Sequence, residues 1–182
     1  KRDYLFGRFL GSFLVLLFIM SGMMFGFMLG DLMPWRDAEK LLPYDITTYL
    51  QPFFLFIVTN ALITGSLFFG SGALSRKMLV IYTQGMILLV FYIAAINFTN
   101  DLENKQLLAL LDPFGFTTLN IETEYWTIAE QNSLQIGWHG LILANRLIWL
   151  AITGVFLAIT YFGFSFNVVR KSLFRSKQIN DE

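Results

Sequence analysis

Charge is absent from four long stretches of this chain. Residues 9–30, 46–75, 78–100 and 147–169 contain no Asp, Glu, Lys or Arg. Each exceeds the roughly 20 apolar residues needed to cross a bilayer core. In lipid every backbone N–H and C=O must find a partner within the protein, which leaves helices or closed barrels. Barrel strands alternate apolar and polar positions, and these runs do not. The pattern therefore predicts an all-α, polytopic membrane bundle. Its four transmembrane helices are expected over about 8–30, 50–74, 78–98 and 141–166, with an outer helical segment over 101–137.

Composition agrees. Of 182 residues, 55% are hydrophobic and 17% aromatic, twenty of them Phe. Mean hydropathy is +0.58. Only 14% are charged, against about 25% in an ordinary soluble domain. With no Cys there is no disulfide framework or thiol chemistry. A net charge of zero gives no reason to expect nucleic acid as a partner. The basic start of the chain is not read as a signal peptide, because the apolar run after it is too long and lacks a small-residue cleavage site.

The placement of charge orients the bundle. Lys1, Arg2 and Arg8 precede the first run, Arg76 and Lys77 separate the second from the third, and Arg170, Lys171, Arg175 and Lys177 follow the fourth. The other two connections are acidic. One carries Asp31, Asp37, Glu39 and Asp45 against Arg36 and Lys40; the other carries Asp101, Glu103, Asp112, Glu122, Glu124 and Glu130 against Lys105 alone. Cytoplasmic flanks are enriched in Lys and Arg. Both ends are thus expected in the cytoplasm, and the acidic connections outside.

The long acidic connection has structure of its own. Residues 102–111 have helix-forming composition. Asp112-Pro113 then reads as a break and a new start. Asp accepts from the orphan N–H groups of a first turn, and Pro suits the first helical position. The second helix is expected to carry Phe114, Phe116, Leu119, Tyr125, Trp126 and Ile128, a mixture of aromatics and polar residues suited to a membrane interface.

Within the spans, Gly7, Gly11, Gly22, Gly26 and Gly30 are separated by four, eleven, four and four residues. Those intervals return nearly to one helix face. Such a stripe serves close helix packing, either against a helix of the same chain or across a dimer seam. The small patch Gly65, Ser66, Gly70, Ser71, Gly72 and Ala73 in the second span is a candidate receiver. Bulk at Gly26 is then expected to disturb stability or assembly. Pro52 reads as a helix-start proline. Asn60, Gln84 and Asn97 read as interhelical hydrogen-bonding amides.

Catalytic signatures are absent from the sequence: it contains no HExxH, no GxSxG and no Walker A loop. His139, the only histidine, stands beside Trp138 and reads as a headgroup-level residue. Glu122, Glu124 and Glu130 lack the spacing of an EF-hand loop. No metal site, cofactor or catalytic residue is expected. Arg146, just inside the last span, reads as a cation snorkelling to the outer surface, with Glu130 or Asp112 as partners if it is paired.

Several segments together resemble a known family. They are the entry Lys1-Arg2-Asp3-Tyr4-Leu5-Phe6-Gly7-Arg8-Phe9, the turn Leu111-Asp112-Pro113-Phe114-Gly115, the run Tyr125-Trp126-Thr127 with Glu130 and Asn132, and Asn145-Arg146-Leu147-Ile148-Trp149-Leu150. The chain resembles ABC-2 type transporter permeases. More narrowly, it is similar to the permease region of bacterial ABC-2 proteins, found in Bacteroidota, that are fused to or encoded with an M1-type aminopeptidase domain. The resemblance implies six spans per subunit, of which these four would be the last. It implies a homo- or heterodimer in the bacterial inner membrane, a separate ATP-binding cassette ATPase, and short re-entrant helices before the last span. Beginning at Lys1 without Met, the chain is expected to be an excerpt of a longer protein, with any peptidase domain beyond Glu182.

Three groups of residues follow as site candidates. Asp112, Pro113, Phe114, Gly115, Tyr125, Trp126 and Glu130 would form an outer gate. Lys1, Arg2, Tyr4, Arg8, Arg76 and Lys77 would meet the ATPase. Gly11, Gly22, Gly26 and Gly30 would pack helices. The expected function is that of a permease segment of an exporter-type transporter, with no enzyme activity of its own. The rivals are a non-transporting membrane anchor or assembly protein, and an intramembrane enzyme using His139 with Glu130. The charge asymmetry yields a direct test of topology. Single cysteines at Ala38 and Thr123 are expected to react with an impermeant thiol reagent from outside and one at Ser75 is not; the reverse pattern overturns the orientation.

Overall fold

The computed structural model describes residues 2–34, 44–98 and 105–165. Lys1, the acidic connection around Asp37 and Glu39, Asp101, Glu103 and the basic tail from Arg170 to Lys177 lie outside the described residues. Among those described, all regular structure is helical. Four helices are long and apolar enough to span a membrane: α1 (Arg2–Asp31), α2 (Thr47–Ser75), α3 (Met78–Phe98) and α7 (Gly140–Gly163). Three short helices, α4 (Lys105–Ala109), α5 (Phe116–Thr123) and α6 (Ile128–Ser133), fill the connection before α7.

The first span begins earlier than the hydropathy pattern suggests. Arg2, Tyr4 and Arg8 belong to α1 itself, because nothing in that entry breaks a helix. At 30 residues α1 is about 45 Å long, more than a bilayer core.

Pro52 is not a helix-start proline. α2 begins five residues before it, and Pro52 closes the first α-helical segment, Thr47–Pro52. A π-helical stretch, Phe53–Val58, follows at once, and α-geometry resumes over Thr59–Ser75. Proline removes a backbone donor and crowds the preceding turn. Widening of the helix just after it is one way to absorb that defect, and such π-turns concentrate at functional sites.

The core is built around α2 and α7, which share the largest helix–helix interface. Ile63, Leu67, Leu88 and Trp149 form one buried cluster, with Phe68, Phe114, Leu150 and Phe156 against it. Leu55, Phe56 and Ile142 form a second, closed by Leu119 and Ile136. On α7 the buried positions Ile142, Asn145, Arg146, Trp149, Thr153 and Thr160 follow helical spacing. Phe162, on the opposite face, is 79% exposed.

The small residues of α2 serve α7 and α3, not the glycine stripe of α1. At Gly70 a side chain would strike Thr160 and Phe156 of α7. Gly72 faces Ile81 of α3, and the Ser71 hydroxyl donates to Gln84 of α3. Around Gly7, Gly11, Gly22, Gly26 and Gly30, no described atom lies within 4 Å of where a Cβ would stand. The stripe as intrachain packing is therefore corrected: it faces outward. Asn97 is also not interhelical, since its amide donates to Ile93 of its own helix.

A pair of substitutions separates these two kinds of glycine. Gly70→Leu is expected to lower stability by about 1–3 kcal/mol through overpacking, while Gly26→Leu leaves the unfolding midpoint of the single chain unchanged. Thermal melts in detergent decide; equal losses at both positions contradict the packing described.

Candidate functional site

The connection between α3 and α7 folds back on itself without crossing the bundle. α4 descends, the chain turns at residues 110–115, and α5 returns, with Lys105 on α4 paired to Glu124 just beyond α5. The turn lies against the first part of α7, at Asn145, Arg146 and Trp149. These residues stand about 8–14 Å along α7 from its start, at 1.5 Å per residue. The turn therefore reaches into the depth of the spans, where open backbone is tolerated only if protein satisfies it.

That requirement organises the site. A turn carries carbonyls that no helix partner takes up. Asn145 Nδ2 donates to the carbonyls of Ala109, Leu110 and Asp112 at 3.1, 3.2 and 2.9 Å. Trp149 Nε1 donates to Leu110 at 3.1 Å, and Asn60 Nδ2 of α2 donates to Phe114 at 3.0 Å. Arg146, fully buried, donates from Nε and Nη2 to Asn145 Oδ1 at 3.1 and 2.6 Å, and from Nη1 to Asn60 Oδ1 at 2.6 Å. A guanidinium can only donate and a carbonyl can only accept. Each asparagine is thus an adapter, taking protons from Arg146 on its oxygen and giving its own to the turn. Neither leucine nor aspartate can do both.

Arg146 is therefore not a snorkelling residue. Its guanidinium lies 5.9 Å from the centroid of the Phe56 ring, within the π-helical stretch of α2, in cation–π range. It interacts electrostatically with Asp112, which is itself fully buried. Glu130 plays no part, being occupied elsewhere. The polar face of α7 held a signal for this: Asn145, Trp149, Thr153 and Thr160 recur on one face, which marks that face as turned to protein, and Arg146 is its neighbour.

Asp112 accepts from the backbone N–H groups of Phe114 at 2.8 Å and of Thr117 at 2.7 Å. Its expected place at the helix start is corrected. α5 begins at Phe116, its N-cap position is Gly115, and Pro113 precedes the helix. The carboxylate still serves the first turn, but reaches it across the bend. Gly115 is required there on two counts. Its φ is +77°, and the Arg146 guanidinium fills the space that a Cβ would need. Phe114 meets Tyr92 of α3 edge-on at 5.6 Å, and Phe116 stacks on Phe56 at 6.1 Å.

The remaining expected site residues disperse. Tyr125 and Trp126 lie beyond α5 in the turn before α6, and Tyr125 is 87% exposed. Glu130 forms a capping box with Thr127 at the start of α6. The Thr127 backbone N–H and then its hydroxyl hold that carboxyl below the usual carboxylate range. Glu122 accepts from Leu141 N at 2.8 Å and so caps α7, at Gly140 with φ +58°. The three glutamates thus have separate tasks and form no cation cage. His139 is the residue before α7 and does not meet Glu130 in any described hydrogen bond. Gln135 donates to Asp45 at 2.9 Å and Gln51 to Ile136, tying the end of the hairpin to the start of α2.

At the opposite end, Tyr4, Arg8 and Arg76 line one cleft, while Lys77 stays outside it and exposed. Comparison of the chain with protein-family models, curated proteins and solved structures finds no match.

The adapter role is open to test. Asn145→Ala leaves buried carbonyls and an arginine unpartnered, at about 1–3 kcal/mol for each unsatisfied group. Amide exchange across 105–133 is expected to rise many-fold while the basic half of α2 and α7 stays protected. Asn145→Asp should act in the same direction, since it sets a carboxylate against three carbonyls. Unchanged exchange in both variants refutes the role.

Proposed function

We propose that this chain is the membrane-embedded permease part of an ABC-2 exporter-type transporter. The observation that carries the reading is the re-entrant hairpin over 105–133, pinned at depth between α2 and α7 by Arg146 and its two asparagines. Short re-entrant helices before the last span are what the family resemblance implies. A plain loop closing the outer surface has no need of a buried guanidinium, which is expensive at that depth.

In this reading the hairpin is a gate on the outer side of the inner membrane, and both chain ends are cytoplasmic. ATP is hydrolysed by a separate cassette subunit that meets the basic end, around Arg2, Tyr4 and Arg8, with Arg76 and Lys77 as a lesser contact. A second permease subunit completes the pathway, and the outward glycine face of α1 is available to it. The substrate class is open.

Asp112 is the residue to test, because its carboxylate holds the bend and faces Arg146 without touching the basic end. Losing a helix cap costs about 0.5–2 kcal/mol. Asp112→Ala is expected to leave expression and ATPase-subunit binding intact and to alter ATP turnover or flux in reconstituted vesicles several-fold. Asp112→Asn, which keeps an acceptor oxygen, should show a smaller change. If both variants transport like the parent, the hairpin is not a gate. If no ATPase subunit co-purifies and no ATP-driven flux occurs, the chain is an anchor and not a permease.

A further inference from the structure

The basic end of the bundle carries a cleft that the outer hairpin does not explain. It encloses about 490 Å³ between α1 and the end of α2, and Arg8 and Arg76 stand on its walls with Tyr4, Phe69 and Phe164. A second groove of about 400 Å³ adjoins it, sharing Leu5 and Phe69. This groove is apolar along Phe9, Phe69 and Leu157, and Arg2 stands in its lining. No carboxylate lines either one.

Both arginines of the first cleft are held in place. Arg8 Nη1 donates to the Tyr4 hydroxyl at 2.6 Å, with the guanidinium 5.5 Å from the Tyr4 ring centroid. The Tyr4 ring stacks on Phe164 at 6.1 Å. Arg76 Nη2 donates to the Ser165 carbonyl at 2.6 Å. These contacts use only part of each guanidinium, which has five donors.

Arg76 also sits where arginine is a poor choice. It ends α2 with φ +53°, its N–H bonded to Gly72 at 3.0 Å. That left-handed cap favours glycine. Arg76 is the described non-glycine residue with positive φ. A strained backbone position occupied by a long cation points to a use for the cation.

We propose that this cleft is a binding site for an anionic glycerophospholipid. The phosphodiester lies between Arg8 and Arg76, and one acyl chain runs along the adjoining groove over Phe69 and Leu157. Charge complementarity selects the occupant. Basic pockets between membrane helices bind anionic headgroups, and guanidinium groups match phosphate oxygens by bidentate geometry. The chain's own tail is a poor rival, because residues 166–180 carry Arg170, Lys171, Arg175 and Lys177 and no carboxylate. The proposal does not rest on the transport reading, since it concerns lipid binding by this chain alone.

The test uses the full chain in detergent, titrated with phosphatidylglycerol or phosphatidylcholine and read by native mass spectrometry and thermal shift. The parent is expected to prefer phosphatidylglycerol by about tenfold or more, and each arginine removed should cost about fivefold. Arg8→Gln and Arg76→Gly should lose that preference, while Lys77→Gln, outside the cleft, keeps it. Arg76→Gly relieves the left-handed cap and should melt no lower than the parent without lipid, so lost binding cannot be ascribed to unfolding. Equal binding of the two lipids overturns the proposal. So does a preference that survives in Arg8→Gln and Arg76→Gly, or one abolished only by removing residues 166–182.

Discussion

A bend of open backbone placed among transmembrane helices has no water to satisfy it. That constraint governs the hairpin end of this protein. The carbonyls of Ala109, Leu110, Asp112 and Phe114 need donors from neighbouring spans, and Asn145, Trp149 and Asn60 supply them. Once two asparagines point their N–H groups at the bend, their oxygens are left facing the interior. Arg146 answers both oxygens at once. The guanidinium then needs a compensating charge, and Asp112, already fixed by two backbone N–H groups of the bend, provides it. Each group is explained by the unsatisfied group before it, and the chain of reasons closes on the bend.

Such a network contributes fit more than stability. Replacing buried charge by well-packed apolar groups is often neutral or stabilising, whereas removing one partner of a set is damaging. What the network fixes is register: where the bend sits along α7, and that α2, α7 and the hairpin move together. Aromatic contacts from Tyr92 and Phe56 add a non-directional hold around the same point. The π-helical stretch contributes as well, since it carries Phe56, which stands both beside the guanidinium and against Phe116.

The spans were legible because hydropathy is a property of long runs, and four runs without charge leave little else to conclude. The bend was legible from Asp112 and Pro113, but its details were not. Gly115, not Asp112, occupies the cap position, because a carboxylate can serve a helix start from several residues away when the chain curls back. Arg146 was misread for a related reason. Its nearness to the end of an apolar run suggests escape to the surface, and only the fold brings Asn60, far away in sequence, to meet it. The outward glycines of α1 expose the same limit. Spacing puts them on one face, but which way a face turns depends on what the other helices offer. Here α2 spends its small residues on α7 and α3.

The pairing of α2 with α7 links the two ends of the molecule. Near the basic end Gly70 admits Thr160 and Phe156 so closely that the two backbones have little room to slide. Near the hairpin Asn60 and Arg146 bridge the same two helices directly. Contacts at both ends of a helix pair make it a stiff unit, because a packed interface is not continuously deformable. The hairpin rides on that unit through its own hydrogen bonds. Arg76 ends α2 at one extreme, and Asn60 holds the Phe114 carbonyl of the bend further along the same helix. A displacement of the Arg76 end relative to α1 would therefore reach the bend as a rigid-body movement, with no separate relay of side chains required.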